Sequence, residues 1–176
     1  MILTTQEERR WFIQNLALGL ISHMGIVKPP VPVEGILKNP PEIFVTPPSH
    51  LTSQYSPWEE ALKRPIYIGG RVIIPGDLPN DERRYAIAQG IMLGIGETDH
   101  GRNMGLPQLL SPYLWELKDF FARNLLAPDP LIEAYRQKGG GYDDFAQVFA
   151  IPPRIAVIRW EEPSRLEISA DSHLAA

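Results

Sequence analysis

The sequence predicts an α+β domain in which a core of helices carries a small antiparallel β-hairpin or sheet, closed by a C-terminal unit like a helix-turn-helix. Three observations lead there. "PIYIGGRVIIPG" joins two β-branched or aromatic runs, Ile66, Tyr67, Ile68 and Val72, Ile73, Ile74, through Gly69-Gly70, the pattern of a hairpin. Apolar residues recur at helical spacing both before and after that hairpin. "YDDFAQVFAIPPRIAVIRWEE" reads as two short helices around a tight turn. Helix, then strand signals, then mostly helices is the order of an α+β fold.

The elements follow in chain order. Thr4 or Thr5 caps a first helix, and Glu7 and Glu8 suit the dipole of its first turn. Ile13, Leu16, Ala17, Leu20 and Met24 form its apolar face; Gly25 and the following "KPPVP" stop it. The uncharged run Trp11 to Val27 is shorter than the ~20 apolar residues of a membrane span and carries Gln14, Asn15, Ser22 and His23, so neither a span nor a targeting signal is expected. From Lys28 to Pro48 proline is dense, which implies an ordered surface wrap, with "VEGIL" as a short helix and "EIFV" as a short strand.

"SPWEEALKR" reads as a short helix capped by Ser56 and opened by proline. After the hairpin, a helix capped by Asn80 or Asp81 runs to about Ile95, where Gly96 ends it. "ETDHGRNMGLPQ" reads as a loop. The next helix is capped by Ser111, started by Pro112 and halted near Pro128 and Pro130. "LIEAYRQKGGG" is a helix ended by glycines, and the tail from Pro163 has no pattern and is expected to be loose.

Composition narrows the function. The 176 residues, 44% apolar and 22% charged, suit one globular domain with a buried core. A net charge of −4 speaks against a dominant nucleic-acid footprint. With no cysteine, disulfides, thiolate metal sites and cysteine nucleophiles are excluded, and a reducing cytoplasm is the expected setting.

The central helix raises the functional question. A zinc peptidase of the zincin type places His-Glu-x-x-His on a helix because residues i and i+4 share a face; two imidazoles hold the zinc and the glutamate polarises its water. In "DERRYAIAQGIML" the first histidine position is held by Gln89, the glutamate position by Gly90 and the second histidine position by Leu93. An amide is a poor zinc ligand, glycine has no side-chain base and leucine has no lone pair. Ala86, Gly90 and Gly94, four residues apart, form a smooth stripe instead.

Around that helix the chain resembles the ImmA/IrrE-type zinc metallopeptidases of bacteria and their mobile elements. The likeness rests on "LALGLISHMGIVKPPVPVEGIL", "IYIGGRVIIPGDLPNDERRYAIAQG", "FFARNLLAPDPLIEAY" and "YDDFAQVFAIPPRIAVIRW", the last with Phe149, Ile151, Pro153 and Arg159 in register. Together they span most of residues 16 to 160. The resemblance implies a zincin-like core over residues 1–130, a helix-turn-helix-like extension over 131–162 and a tail over 163–176. The family's third metal ligand, a glutamate, falls on Trp115, with Glu116 beside it about 100° round the helix. Gln89, Gly90, Leu93, Trp115 and Glu116 are therefore expected to be vestigial positions, with no metal or other cofactor. The function so implied is that of a catalytically inactive, regulatory relative that binds a protein, a helix-turn-helix repressor or toxin–antitoxin component being the partner that fits. The hairpin residues Ile66, Tyr67, Ile68, Val72, Ile73 and Ile74 would offer an edge for an extended peptide.

Two other functions fit parts of the sequence. Glu97, Asp99 and His100 are metal-capable types grouped in one segment, so a metallopeptidase with relocated ligands is an alternative; a solvated turn explains them as well. The helix-turn-helix-like segment makes a DNA-binding regulator the second alternative, but only Arg154 and Arg159 could read DNA, against Asp143, Asp144, Glu161 and Glu162. A structural or partner-docking role is expected for that segment, with neither nucleic acid nor membrane as a partner. His23, His50 and His173 are scattered and expected at the surface, and no Gly-x-Ser-x-Gly elbow is present.

Overall fold

The computed structural model describes residues 5–44, 52–56, 66–68 and 71–162. The expected helix over Ser56 to Arg64, the Gly69-Gly70 turn, His50 and the tail from Pro163 lie outside them, except that Ser56 itself ends a strand.

Helix α1 (Gln6–His23) is fixed at both ends by local chemistry. The Thr5 hydroxyl accepts from the Glu8 amide at 3.1 Å and the Glu8 carboxylate accepts from the Thr5 amide at 2.9 Å, a reciprocal capping box. Gly25 sits at φ +62°, a left-handed position that suits glycine. It lets the Gly25 amide reach the Ser22 carbonyl and the Ile26 amide reach the Ile21 carbonyl, each at 3.1 Å. Ile13, Ala17, Leu20 and Ile21 form the buried stripe. Helix α2 (Val33–Lys38) buries Val33, Ile36 and Leu37. The "EIFV" segment is a correction: Glu42–Phe44 is a turn of 3-10 helix, because the Phe44 amide closes on the Pro41 carbonyl at 2.8 Å instead of pairing with a strand.

The α+β class is overturned, because the described residues are predominantly helical. The strands β1 (Thr52–Ser56), β2 (Ile66–Ile68) and β3 (Arg71–Pro75) are short, and Ile74 of β3 is buried in the core. Nor are they purely antiparallel. β2 pairs antiparallel to β3 with Ile66 opposite Ile73, while β1, a polar segment, pairs parallel to β3 with Thr52 opposite Arg71. The hydrophobic burial that drives folding is supplied by helix against helix.

Helix α3 (Asn80–Glu97) is the axis of the structure. From Arg84 to Gly96 every residue but Leu93 is buried, so the helix is surrounded rather than amphipathic. Its cap position is Pro79, and the helix runs through Gly96 to Glu97, where an end near Ile95 was expected. Arg84 ties it to its surroundings, donating to the Val31 carbonyl at 2.6 Å, the Ala150 carbonyl at 3.1 Å and Glu34 at 3.2 Å.

The segment expected as a loop contains α4 (Asp99–Asn103) and α5 (Leu106–Leu110). The Thr98 hydroxyl accepts from the Gly101 amide at 3.0 Å and donates to the Ile95 carbonyl at 2.7 Å, so one residue ends α3 and starts α4. Gly101 is required there, since a Cβ would lie 1.9 Å from the Ile95 carbonyl oxygen. Helix α6 (Leu114–Leu126) begins after Tyr113 and not at Ser111, whose amide is used to close α5 on Pro107.

Helix α7 (Asp129–Gln137) starts before the expected boundary at 130/131, so that boundary lies in its first turn. Helices α8 (Tyr142–Phe149) and α9 (Pro153–Glu161) make the expected pair, turned at Ala150, which takes φ +50°. Phe145, Phe149, Ile151 and Ile155 are buried as their spacing implied, and Ala146 packs against them partly buried.

Candidate functional site at the α3–α6 seam

Tyr85 and Gln89 stand one turn apart on α3 and both face Asp119 of α6. The Tyr85 hydroxyl donates to Asp119 Oδ1, and Gln89 Nε2 reaches the same oxygen at 3.4 Å. The other carboxylate oxygen is ion-paired with Arg123, one turn along α6, at 3.5 Å. Arg123 pairs onward to Glu162 at 2.7 Å. The Arg154 guanidinium lies 5.0 Å from the Tyr85 ring centre and grips Glu82 at 2.6 and 3.2 Å. One polar seam thus crosses α3, α6 and the end of α9.

Burial, reinforced by the bond to Asp119, pushes the Tyr85 phenol above its ordinary range. The phenol is therefore a neutral donor near neutral pH, not a base or nucleophile. The seam holds charges in compensated pairs, the arrangement of a structural network.

The vestigial positions are placed as follows. Gln89 is buried with its amide directed to Asp119; Gly90 is buried; Leu93 is half-buried on the same helix. Trp115 is 54% exposed, with the Lys118 ammonium 4.0 Å from its ring centre. Glu116 turns to α1, accepting from Gln6 at 2.7 Å and from Arg10 at 2.9 Å. Those bonds hold its carboxyl below the usual range. The acid that faces Gln89 is Asp119, a residue the sequence reading missed. Its signal was the pair of i, i+4 spacings, Tyr85/Gln89 and Asp119/Arg123, on two helices that only the tertiary fold brings together.

Glu97, Asp99 and His100 do not converge. Arg102 pairs with Glu97 at 3.4 Å and with Asp99 at 3.6 Å, while the His100 ring stands edge-on to Phe44 with centres 5.6 Å apart. Among the described residues no group of three or more His, Asp or Glu side chains is placed to hold a metal ion. The DNA-reading candidates are likewise engaged. Arg159 is 3% exposed, bonded to the Ala127 carbonyl at 2.7 Å and to Asp129 at 2.5 Å, and Arg154 is held by Glu82.

Of the expected peptide edge, Val72, Ile73 and Ile74 lie in β3, the middle strand of the order β1-β3-β2. Val72 and Ile73 are paired on both sides and Ile74 with Tyr55 of β1, so among the described residues Ile66, Tyr67 and Ile68 of β2 are the edge part of that set. Among the described residues no helix is long and apolar enough to cross a membrane. Compared with protein-family models, with curated proteins and with solved structures, the chain finds no match in any of the three.

Proposed function

We propose that this chain is a non-catalytic relative of the ImmA/IrrE-type peptidases that acts in the cytoplasm as a protein-binding, regulatory module. One observation carries the reading: the position of the first metal-binding histidine holds Gln89, whose amide is directed to Asp119, with side-chain-free Gly90 and aliphatic Leu93 completing the motif frame. Those three positions carry neither the glutamate base nor the histidine ligands of the motif. The Glu116 carboxylate, nearest in sequence to the family's third ligand, is committed to Arg10 and Gln6.

Binding is supported by the surface. Trp11, Tyr113, Trp115 and Tyr142 are each more than two-fifths exposed, and aromatic side chains of this kind anchor protein interfaces. Val157 and Ile158 add an apolar pair on the outer side of α9, where a DNA reader would carry polar residues. Among the described residues β2 is an edge strand, which would offer backbone pairing to an extended segment. A helix-turn-helix regulator is the partner class that this reading favours. Affinity capture from the native host, with Trp115→Ala and Val157→Asp variants as controls, tests it. A specific protein lost with either variant is expected; recovery of none, or of the same proteins with both variants, contradicts the reading.

A further inference from the structure

A groove of about 520 Å³ runs along α1, away from the Tyr85–Asp119 seam. Its size falls within the range of small-molecule sites. Phe12, Leu16, Phe44 and Met104 supply apolar wall, and Trp11 lies at the exposed rim. Its remaining features point to an occupant.

The first is Gly19, in the interior of α1 and in the lining of the groove. Glycine is among the poorest helix formers. A Cβ built on Gly19 meets nothing within 4 Å, and the residue sits in neither a turn nor a left-handed conformation. Among the described residues nothing in the packing requires a glycine there; what its missing side chain leaves is open groove. The second feature is the pair of histidines, His23 on α1 and His100 on α4, which line the same groove. His100 touches Phe44 ring to ring, and neither imidazole makes a hydrogen bond with a described residue. No aspartate or glutamate is among the described lining residues. An apolar trough whose described lining carries two imidazoles and no acid complements a molecule with an apolar body and one anionic acceptor group.

We propose that the α1 groove binds a small amphipathic carboxylate, its chain along Leu16 and Gly19 and its head at His23 and His100. This inference does not rest on the protein-binding reading, with which it shares Trp11 alone.

The test is a titration of the full chain with 8-anilinonaphthalene-1-sulfonate, an apolar fluorophore with one anionic group, followed by displacement with decanoate and with decanol. Saturable binding of one dye per chain is expected, displaced by decanoate at about tenfold lower concentration than by decanol, the factor that one charge-assisted hydrogen bond supplies. Gly19→Leu should fill the groove and weaken dye binding by more than about tenfold while the melting temperature holds or rises, leucine being the better helix former. Joint replacement His23→Ala and His100→Ala should shrink the decanoate preference to less than about threefold, with dye still bound. Non-saturable dye binding, dye binding unchanged in Gly19→Leu, or equal displacement by decanol would overturn the proposal. Displacement by an apolar peptide but by neither ten-carbon compound would overturn it too, and would assign the groove to a protein segment.

Discussion

Glu116 accepts the Arg10 guanidinium at 2.9 Å on the α1 side of α6, while Asp119, three residues later, faces α3. That division of labour separates the acid expected beside a metal site from the helix that would have carried the metal. Glu116 joins α6 to α1, and Asp119 joins α6 to Tyr85 and Gln89. Both acids are occupied in holding helices together.

Glu116 gives a signature in acid. Its folded-state carboxyl lies below its ordinary value, chiefly through the Gln6 bond and then Arg10. The stability it lends is present above the unfolded value of about 4.3 and is lost as pH falls through the depressed folded value. Glu116→Gln should therefore cost about 0–1 kcal/mol at neutral pH, as exposed pairs do. Its denaturation curve should also lose less stability than the parent's between about pH 5 and pH 3. Urea midpoints across that range measure both.

Tyr85 gives the opposite signature in base. Its phenol is raised by burial and then by Asp119, so the stability it lends is present below about pH 10 and is lost as pH climbs towards the folded value. Tyr85→Phe should lose about 1–2 kcal/mol at neutral pH and show a shallower decline above about pH 10. Denaturation combined with ultraviolet titration of the tyrosines checks this.

Arg159 and Arg154 should behave unlike each other. Arg159→Met leaves the Asp129 carboxylate buried with Gln14 as its remaining bonded partner, at 2.8 Å, and should cost about 3–5 kcal/mol. Replacing both, Arg159→Met with Asp129→Leu, should restore most of that loss. Arg154 is 55% exposed in its side chain, so Arg154→Ala should cost no more than about 1 kcal/mol. Chemical denaturation of these variants separates a buried brace from a surface pair.

Gly101→Ala places a methyl group 1.9 Å from the Ile95 carbonyl oxygen, where backbone must move. A loss of about 1–3 kcal/mol is expected, read as a lower melting temperature. Gly76→Ala, whose Cβ meets nothing within 4 Å, serves as the control.

Local rules carried the sequence reading where structure is local. The cap at Thr5, given as Thr4 or Thr5, the Gly25 stop, α2, and the α8–α9 pair with its phenylalanine core all follow from residues within a few positions of one another. The α+β class failed because helices dominate the described residues, with α3, surrounded on all sides, at the centre and the strands no more than five residues long. The restart at Thr98 was hidden because glycine and aspartate so close together also spell a turn. Parallel pairing of β1 with β3 has no local signature in "TSQYS". The site was half legible: the emptied motif at Gln89, Gly90 and Leu93 stands in the sequence, but Asp119 meets Gln89 only through the packing of α6 on α3.

The central claim is that the motif frame on α3 has no hydrolytic chemistry. Its most direct test is zinc content by elemental analysis of protein purified without chelator, together with peptide hydrolysis in added zinc. The account predicts substoichiometric zinc and no hydrolysis above buffer, unchanged by Gln89→Ala. One tightly held zinc per chain with peptide cleavage, both lost in Gln89→Ala, would contradict it.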